Sequence, residues 1–312
     1  MSDFVIIPDA SSDLPKELRE RFYIPDYVRG TIYFPDGQEA SADMDWELMS
    51  PETYYTSMSG RKMLYKTASA QRREILRAYE LQLKAGKDIL AITLSSGLSG
   101  TYQACQKVAE ELLEKYPERK IIVVDSLRYS TALSILVIKA SQKQQEGATL
   151  EETAEYLERI KHTIHQIGTM DDMFFLVKTG RISNFKAFFG TLVGINAMAD
   201  FNRKGLAQVL CKIKGKKRAF DALIEYMHGT IVNPKEQIIF VAHSNREQAA
   251  QALAQRVQAE FSPKEIIINH VGLSCGASIG PGLCAVFYQG HEISENMEQE
   301  QALMNQIMTN QK

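Results

Sequence analysis

The chain has 312 residues, of which 45% are hydrophobic and 24% are charged, and its formal net charge is −2. This composition is typical of a soluble globular protein, and the length predicts two domains rather than a single core. Acidic and basic residues nearly balance, which argues against bulk affinity for nucleic acid, so we expect no nucleic-acid partner.

The sequence gives no sign of targeting, metal or nucleotide motifs. The first eight residues carry no basic region and too short an apolar run for a signal peptide, and no stretch of about 20 apolar residues follows. The four cysteines lack C-x-x-C spacing, which predicts buried thiols. The sequence contains neither of the glycine-rich nucleotide-binding motifs, G-x-x-x-x-G-K-[ST] and G-x-G-x-x-G. We therefore expect a cytoplasmic protein without a metal or other cofactor.

Short apolar runs alternate with helical patterns along the chain. The predicted strands are residues 4–7, 28–34, 89–94, 121–124, 238–242 and 266–270. The predicted helices are residues 15–22, 70–86, 100–116, 130–146, 150–165, 184–196, 217–230 and 246–261. This alternation predicts an α/β fold with parallel strands covered by helices.

The clearest domain boundary follows the helix 130–146. Thr149 and Glu152 have the spacing of a capping box that begins the next helix. We therefore predict an N-terminal α/β domain at residues 1–148 and a C-terminal domain at residues 149–312. Residues 198–215 alternate in period two around a turn, which predicts a small hairpin and a mixed second domain.

Hydroxyl groups cluster between the strand 89–94 and the helix after it. Ser95, Ser96 and Ser99 precede this helix, where free backbone N–H groups would favour an anion. The pattern also allows a simpler role, in which Ser99 caps the helix and the other two serines form a turn. Thr67 precedes another helix and is expected at the same sheet edge.

Residues 272–276 match the G-x-S-x-G nucleophile elbow of serine hydrolases, with Ser274 as the nucleophile. That fold requires a helix after the serine, whereas Gly280-Pro281-Gly282 follows almost at once. No acidic residue lies between Ser274 and the later His291 to give the usual triad order. Hydrolase chemistry is therefore only a minor alternative.

Two sets of polar residues are interpreted as parts of the protein surface. His162 and His165 lie three residues apart on the predicted helix 150–165, which favours an exposed face over a metal site. A second group, which we call the basic cluster, predicts a solvated surface that could also receive an anion or an acidic partner. The basic cluster consists of Lys212, Lys214, Lys216, Lys217 and Arg218.

Several segments, taken in order, resemble the DegV family of fatty-acid-binding proteins, which includes the binding subunits of bacterial fatty acid kinase. Residues 8–15 resemble the family's D-S-T-x-D-L-P, and residues 95–102 its S-S-x-L-S-G-T-Y. Residues 124–126 resemble V-D-S, residues 178–183 K-G-G-R-I-S, and residues 279–282 the close of H-T-G-P-G. The resemblance covers almost the whole chain.

This resemblance implies a two-domain DegV-like fold with one long-chain fatty acid in a tunnel between the domains and no catalytic centre of its own. It implies that Thr67, Ser95 and Ser96 bind the carboxylate, with Ser278 and Lys214 nearby. The implied partners are the fatty acid, a separate kinase subunit that phosphorylates the bound acid, and a membrane contacted transiently during lipid exchange.

Several positions depart from the family's motifs. Residues 67–70 read T-A-S-A where the family has T-S-Q-P, and Asn196-Ala197 replaces its K-P. Ser278 stands where H-T-G-P-G has its histidine. Lys214 stands where kinase-linked members have an arginine, which keeps the positive charge but not the fork geometry of a guanidinium. An alternative is therefore a diverged, non-catalytic scaffold that docks a protein partner through the basic cluster without binding lipid.

Overall fold

The computed structural model describes residues 4–183 and 195–311, and the chain divides into two compact units. Unit 1 comprises Met1–Ser50, Met63–Lys161 and Gly272–Ala277, and unit 2 comprises Pro51–Lys62, His162–Val271 and Ser278–Lys312. These units do not coincide with the predicted ranges 1–148 and 149–312. All but the last two residues of the predicted helix 184–196 lie outside the described residues, and those two begin a strand.

The predicted strands are all present, together with others that the sequence did not reveal. The strands are β1 (Phe4–Pro8), β2 (Gly30–Tyr33), β3 (Glu39–Ala42), β4 (Lys66–Ala68), β5 (Asp88–Thr93), β6 (Ile121–Asp125), β7 (Ile164–Met170), β8 (Ile182–Ser183), β9 (Ile195–Phe201), β10 (Ala207–Lys214), β11 (Ile238–His243), β12 (Glu265–His270) and β13 (Leu283–Gln289). The helices are α1 (Lys16–Arg21), α2 (Pro51–Met58), α3 (Arg72–Lys84), α4 (Thr101–Lys115), α5 (Thr131–Gln145), α6 (Leu150–Ile160), α7 (Phe174–Thr179), α8 (Lys216–Thr230), α9 (Glu247–Phe261), α10 (Leu273–Ile279) and α11 (Glu298–Asn310).

Unit 1 is built on a parallel sheet of order β1-β5-β6. Helices α3 and α4 pack against each other, and their apolar residues join Ile7, Ile89 and Ala91 of the strands in one buried cluster. Helices α5 and α6 also pack against each other and against these strands. The predicted parallel sheet with covering helices is therefore confirmed for this unit.

A second, antiparallel sheet of order β3-β2-β4 belongs to unit 1. The sequence did not predict this sheet as a separate element. Its strands β3 and β4 are short and mostly exposed, so they lack the apolar run that marks a buried strand. Thr67 lies on β4, opposite Ile32 of β2, rather than in a loop.

Helix α6 explains why unit 1 extends past the predicted boundary. The capping box is present: Thr149 Oγ1 accepts a hydrogen bond from the N–H of Glu152 at 3.2 Å, and the Glu152 carboxylate accepts one from the N–H of Thr149 at 2.8 Å. The helix then packs on α5 and β6, so it adds to the core of unit 1. A capping box identifies the start of a helix but does not say which core the helix joins.

Unit 2 contains a seven-stranded mixed sheet of order β12-β11-β13-β7-β9-β10-β8. The β12–β11 and β10–β8 pairs are parallel, whereas the β11–β13, β13–β7, β7–β9 and β9–β10 pairs are antiparallel. The predicted hairpin is formed by β9 and β10, with its turn closed by a hydrogen bond from the Gly205 N–H to the Asn202 carbonyl at 3.1 Å. The prediction of a mixed second domain is thus confirmed.

The end of the chain docks on unit 2. Helix α11 packs against α8 and β10, and Gln301 donates a hydrogen bond from Nε2 to the carbonyl of Leu210 at 2.7 Å. The four cysteines are free thiols and buried, as predicted. Among the described residues, no helix combines the length and the apolar character needed to cross a membrane.

Candidate functional site

The loop between β5 and α4, residues 94–100, is held in place by hydrogen bonds that its backbone N–H groups donate. We call it the serine loop. Ser95 donates its N–H to the Arg128 carbonyl at 2.9 Å, and Ser96 donates its N–H to Oδ1 of Asp125 at 3.1 Å. Gly97 donates to the Ser95 hydroxyl at 3.1 Å. The backbone N–H groups of Ser95, Ser96 and Gly97 are therefore already paired, and an anion beside this loop would be held by other donors.

The residues that follow β4 are hydrogen-bonded to the serine loop and the start of α4, although β4 and β5 belong to different sheets, so the expected shared sheet edge is wrong. Ser69 Oγ accepts a hydrogen bond from the Gly100 N–H at 3.1 Å and lies 3.3 Å from Ser99 Oγ. Thr101 Oγ1 accepts a hydrogen bond from the Ala70 N–H at 3.1 Å. Ser99 also accepts from the Thr101 N–H at 3.3 Å, so Ser99 and Ser69 both support the start of α4.

With the amides of the serine loop occupied, side-chain hydroxyls of this loop and of β4 are the groups that remain for a ligand. The hydroxyls of Thr67 and Ser96 are partly buried and have no hydrogen-bond partner in the described part of the chain. Ser95 is fully buried, and its hydroxyl accepts from Gly97. Thr67 and Ser96 can therefore donate to a ligand oxygen without breaking a contact within the protein.

Two carboxylates and one guanidinium set the charge around this loop. Oδ2 of Asp9 accepts a hydrogen bond from the Leu94 N–H at 2.7 Å, and burial raises the pKa of Asp9 to about 6. Asp125 accepts from Ser96, as described above. Arg128, which the sequence analysis missed, is fully buried and donates from Nε to the carbonyl of Lys161 at 2.8 Å. Its Nη1 also donates to the Leu127 carbonyl at 2.9 Å, whereas the Asp125 carboxylate beside Ser96 opposes an anion.

In unit 2, the candidate residues belong to one edge of the seven-stranded sheet. The register aligns Leu283, the first residue of β13, with Met170 of β7, Ala197 of β9 and Lys212 of β10. Ser278 lies shortly before β13, and Lys214 is the last residue of β10. The topology therefore brings Ser278 and Lys214 to the same sheet edge, although the sequence separates them widely.

These two side chains have different surroundings. Ser278 is 5% exposed, and its hydroxyl has no hydrogen-bond partner among the described residues. Lys214 is exposed and forms no ion pair within the described ranges. Ser278 thus offers a buried donor and acceptor, whereas the ammonium group of Lys214 acts as a solvated charge.

Ser274 was the candidate nucleophile of the hydrolase alternative. The expectation that no helix follows it is wrong, since it lies in the first turn of α10. However, its Oγ atom is enclosed and has no hydrogen-bond partner in residues 4–183 and 195–311. A Cβ atom added at Gly30 would lie 2.7 Å from this Oγ atom, so backbone packs against it. A catalytic serine needs a hydrogen-bonded base and an accessible Oγ, and Ser274 has neither.

The prediction of an exposed helical face is wrong for His165, whereas His162 is half-buried in the short 3-10 helix Lys161–Thr163. The helix ends at Ile160, and His165 is a buried residue of β7 whose Nδ1 lies 2.7 Å from Oδ2 of Asp200. Tyr226 donates its hydroxyl to the same carboxylate oxygen at 3.1 Å. These side chains form hydrogen bonds with one another inside the core of unit 2. Their role is therefore structural.

Comparisons with known proteins agree with the fold described above. The family model described as an uncharacterised protein of the DegV family matches residues 3–291. A DegV domain-containing protein of Clostridium perfringens is 33% identical over 290 residues, which cover 93% of this chain and 98% of that protein.

Two solved structures have the same fold. A DegV family protein from Thermus thermophilus, described as fatty acid binding, has a TM-score of 0.82 and 24% identity, covering 92% of this chain and 99% of that one. The B3 protein of Streptococcus pneumoniae fatty acid kinase, solved with linoleic acid, has a TM-score of 0.77 and 23% identity, covering 93% and 99%.

Proposed function

Since the chain belongs to the DegV family, we propose that it binds one long-chain fatty acid and has no catalytic centre of its own. The observation that carries this proposal is the set of hydroxyls without a partner among the described residues, on Thr67, Ser96 and Ser278. The fatty acids bound by the Thermus and Streptococcus proteins support it.

Hydrocarbon burial supplies the binding free energy. Each buried CH₂ group contributes about 0.8 kcal/mol, so a chain of about sixteen carbons has on the order of 12 kcal/mol available. Ordering the chain and the protein side chains reduces this value. Tight binding therefore requires no covalent bond, and the protein has only to compensate the desolvated carboxylate.

In unit 1, we propose that Thr67, Ser95 and Ser96 contact the carboxylate. Thr67 and Ser96 donate hydroxyl hydrogens to the carboxylate oxygens. Because the backbone amides of the serine loop are occupied, the hydroxyls account for the hydrogen bonds. Charge-assisted hydrogen bonds of this kind contribute about 1.5–3 kcal/mol each.

In unit 2, we propose Ser278 and Lys214 as the groups that face the head group. Ser278 donates a hydroxyl in place of the histidine of the family motif. Lys214 contributes a screened charge rather than a bidentate hydrogen bond, because it is exposed. Lys214 should consequently matter less for affinity than Ser278.

Binding of palmitate and of the alcohol of equal chain length separates the head group from the hydrocarbon. Ser96→Ala and Thr67→Val should each weaken palmitate binding by about tenfold and leave the alcohol within about twofold. Ser41→Ala is the matched control, because Ser41 is an exposed serine of unit 1 without a hydrogen-bond partner among the described residues. Absence of saturable binding of palmitate would refute the proposal.

We further propose that the protein presents the bound carboxylate to a separate kinase subunit. The name of the Streptococcus relative supports such a partner. The basic cluster supports it as well, because Lys214, Lys216 and Lys217 are exposed and form no ion pair with described residues. The first turn of α8 also lacks an acidic residue that would neutralise them.

Docking to a purified kinase subunit tests this step. Lys217→Glu should weaken complex formation, and raising the salt concentration should do the same. Lys107→Glu is the control, since Lys107 is an exposed lysine of α4 with the same change of charge. If the lipid-free protein docks equally well and never takes up lipid, the diverged-scaffold alternative is preferred.

Exchange of an insoluble fatty acid calls for a membrane surface, and we propose a transient contact for this purpose. Sedimentation with anionic vesicles that contain fatty acid should carry lipid into the protein fraction while most of the protein stays in solution. Lipid transfer at the same rate without vesicle contact, across a dialysis membrane, would argue against this contact.

A further inference from the structure

Unit 2 contains a cavity of about 570 Å³ at the carboxyl ends of its neighbouring parallel strands, β11 and β12. His243 and His270, the last residues of these strands, are paired in the register and line the cavity, with ring centroids 4.4 Å apart. Ligands of α/β sheets commonly bind at the carboxyl ends of parallel strands. The volume lies in the range of small-molecule sites.

The N-terminus of α9 opens into this cavity. Glu247, Gln248 and Ala249 form the first turn of the helix and line the cavity. The preceding residue, Arg246, makes no side-chain cap hydrogen bond. First-turn N–H groups have no partner within a helix, and the dipole of this 15-residue helix makes their end positive. These groups favour an anion in the cavity.

His243 points independently to a ligand. Its side chain is only 1% exposed, and its Nδ1 accepts a hydrogen bond from the Arg246 N–H at 3.2 Å. Burial, together with the neighbouring His270, lowers the pKa of His243 to about 4, so its ring is neutral at neutral pH and carries its proton on Nε2. Nε2 has no hydrogen-bond partner among the described residues. A ligand oxygen would satisfy this donor.

The charged side chains of the cavity lining are mixed. Lys216 is exposed and has no ion pair with the described residues, so its ammonium group is available. Arg246 is largely buried and already donates to the Gly282 carbonyl at 3.1 Å. Glu52 and Glu247 are exposed carboxylates of the lining and oppose an anion, although solvent screens them. Selectivity must therefore come from short-range donors.

We propose that this cavity binds a phosphoryl group, either of free phosphate or of a small phosphate monoester. His243 Nε2, the first-turn N–H groups of α9 and Lys216 donate to the phosphoryl oxygens. A phosphoryl group alone occupies a fraction of the cavity, so an organic substituent would fit beside Tyr55. This site shares no residue with the proposed carboxylate site, although Lys216 also belongs to the basic cluster.

Calorimetric titration at constant ionic strength with inorganic phosphate, phenyl phosphate and chloride tests the proposal. Phosphate or phenyl phosphate should bind saturably, and chloride should not. Lys216→Gln should weaken phosphoryl binding about tenfold. Lys217→Gln is the matched control, because Lys217 is the next residue, equally charged and exposed, but does not line the cavity. Glu52→Gln should tighten binding, because it removes a repulsive charge.

Tighter binding of phenyl phosphate identifies a monoester as the ligand, and equal binding identifies free phosphate. Equal weakening by Lys216→Gln and Lys217→Gln would overturn the proposal, since it would indicate non-specific attraction to the basic cluster. Absence of saturation with both phosphoryl compounds would also overturn it. The two lysines are exposed, so neither substitution endangers folding.

Discussion

Oδ2 of Asp9 accepts a hydrogen bond from the backbone N–H of Leu94 at 2.7 Å, which fixes the start of the serine loop beside the end of β1. Oδ1 of the same carboxylate accepts from the Ser11 N–H at 2.7 Å. Asp9 is 3% exposed; its hydrogen bond with Leu94 is buried, and its hydrogen bond with Ser11 is partly buried. The position of Ser95 and Ser96 in unit 1 thus depends on a residue far away in the sequence.

Asp9→Ala should lower the free energy of unfolding by about 3 kcal/mol, because it leaves one buried and one partly buried N–H group without an acceptor. It should also weaken fatty acid binding, since the serine loop loses an anchor. Urea unfolding measures the first effect. Asp36→Ala is the control, because Asp36 accepts a comparable bond from the Gln38 N–H at 3.0 Å on the exposed surface. Equal losses for both variants would contradict the burial argument.

Asp13 should make stability depend on pH. Burial raises the pKa of Asp13 to about 7, although the Ser130 hydroxyl donates to Oδ2 at 2.5 Å and opposes the rise. The folded-state pKa exceeds that of the unfolded chain, so stability from this group is present below about pH 4 and is lost as the pH rises to about 7. Asp9 acts in the same direction between about pH 4 and 6.

Asp13→Asn should remove this dependence. The stability of the unmodified protein relative to Asp13→Asn should fall by up to about 4 kcal/mol between pH 4 and pH 8. Chemical unfolding of both proteins across this range measures the difference. A constant difference would mean that Asp13 does not take up a proton on folding.

Asp200 and His165 should be strongly coupled. Burial alone would raise the pKa of Asp200, but His165 and the N–H groups of Gln166 and Phe201 hold it below its ordinary value. Stability from this carboxylate is therefore present above about pH 4 and lost as the pH falls further. Asp200→Ala should cost about 3–5 kcal/mol, because it leaves buried donors unpaired.

A double-mutant cycle on Asp200 and His165 measures the coupling, which should exceed that of an exposed pair. His228 and Glu260 provide that comparison, with Nε2 and Oε2 2.9 Å apart on the surface, and their coupling should stay below about 1 kcal/mol. Similar coupling energies for both pairs would show that burial does not strengthen the interaction.

Gly280 should be intolerant of any side chain. Its φ of +72° would be strained for any residue with a side chain. An added Cβ atom would also lie 2.1 Å from the ring of Phe175. Gly37 also has positive φ, at +89°, but nothing within 4 Å of an added Cβ atom. Gly37→Ala should cost about 1 kcal/mol from strain alone, and Gly280→Ala about 3 kcal/mol or more. Thermal unfolding measures the loss of stability in both variants. Equal losses would show that the contact with Phe175 does not contribute.

Local sequence patterns correctly predicted the features that depend on interactions between residues close together in the chain. The capping box at Thr149 and Glu152 and the turn at Asn202 depend on residues a few positions apart, and both are present. The alternation of apolar runs with helical patterns likewise predicted the parallel sheet of unit 1, because covered parallel strands are apolar on both faces. The DegV motifs identified the family.

Interactions between distant residues could not be predicted in this way. The amides of the serine loop are paired by Asp125 and Arg128, which lie beyond the following helix. Strand β7 contains His165 and Gln166 in the middle of a buried sheet, and their partner Asp200 comes much later in the chain. The helical periodicity of the residues before Ile160 extends to residue 165, so the start of β7 was predicted as part of the helix.

Native mass spectrometry of the purified protein, followed by denaturing extraction, tests the central claim most directly. The proposal predicts one fatty acid per chain, released on denaturation, and lower occupancy in Ser96→Ala than in Ser41→Ala. A protein that is free of lipid as purified and cannot be loaded with any long-chain fatty acid would contradict it.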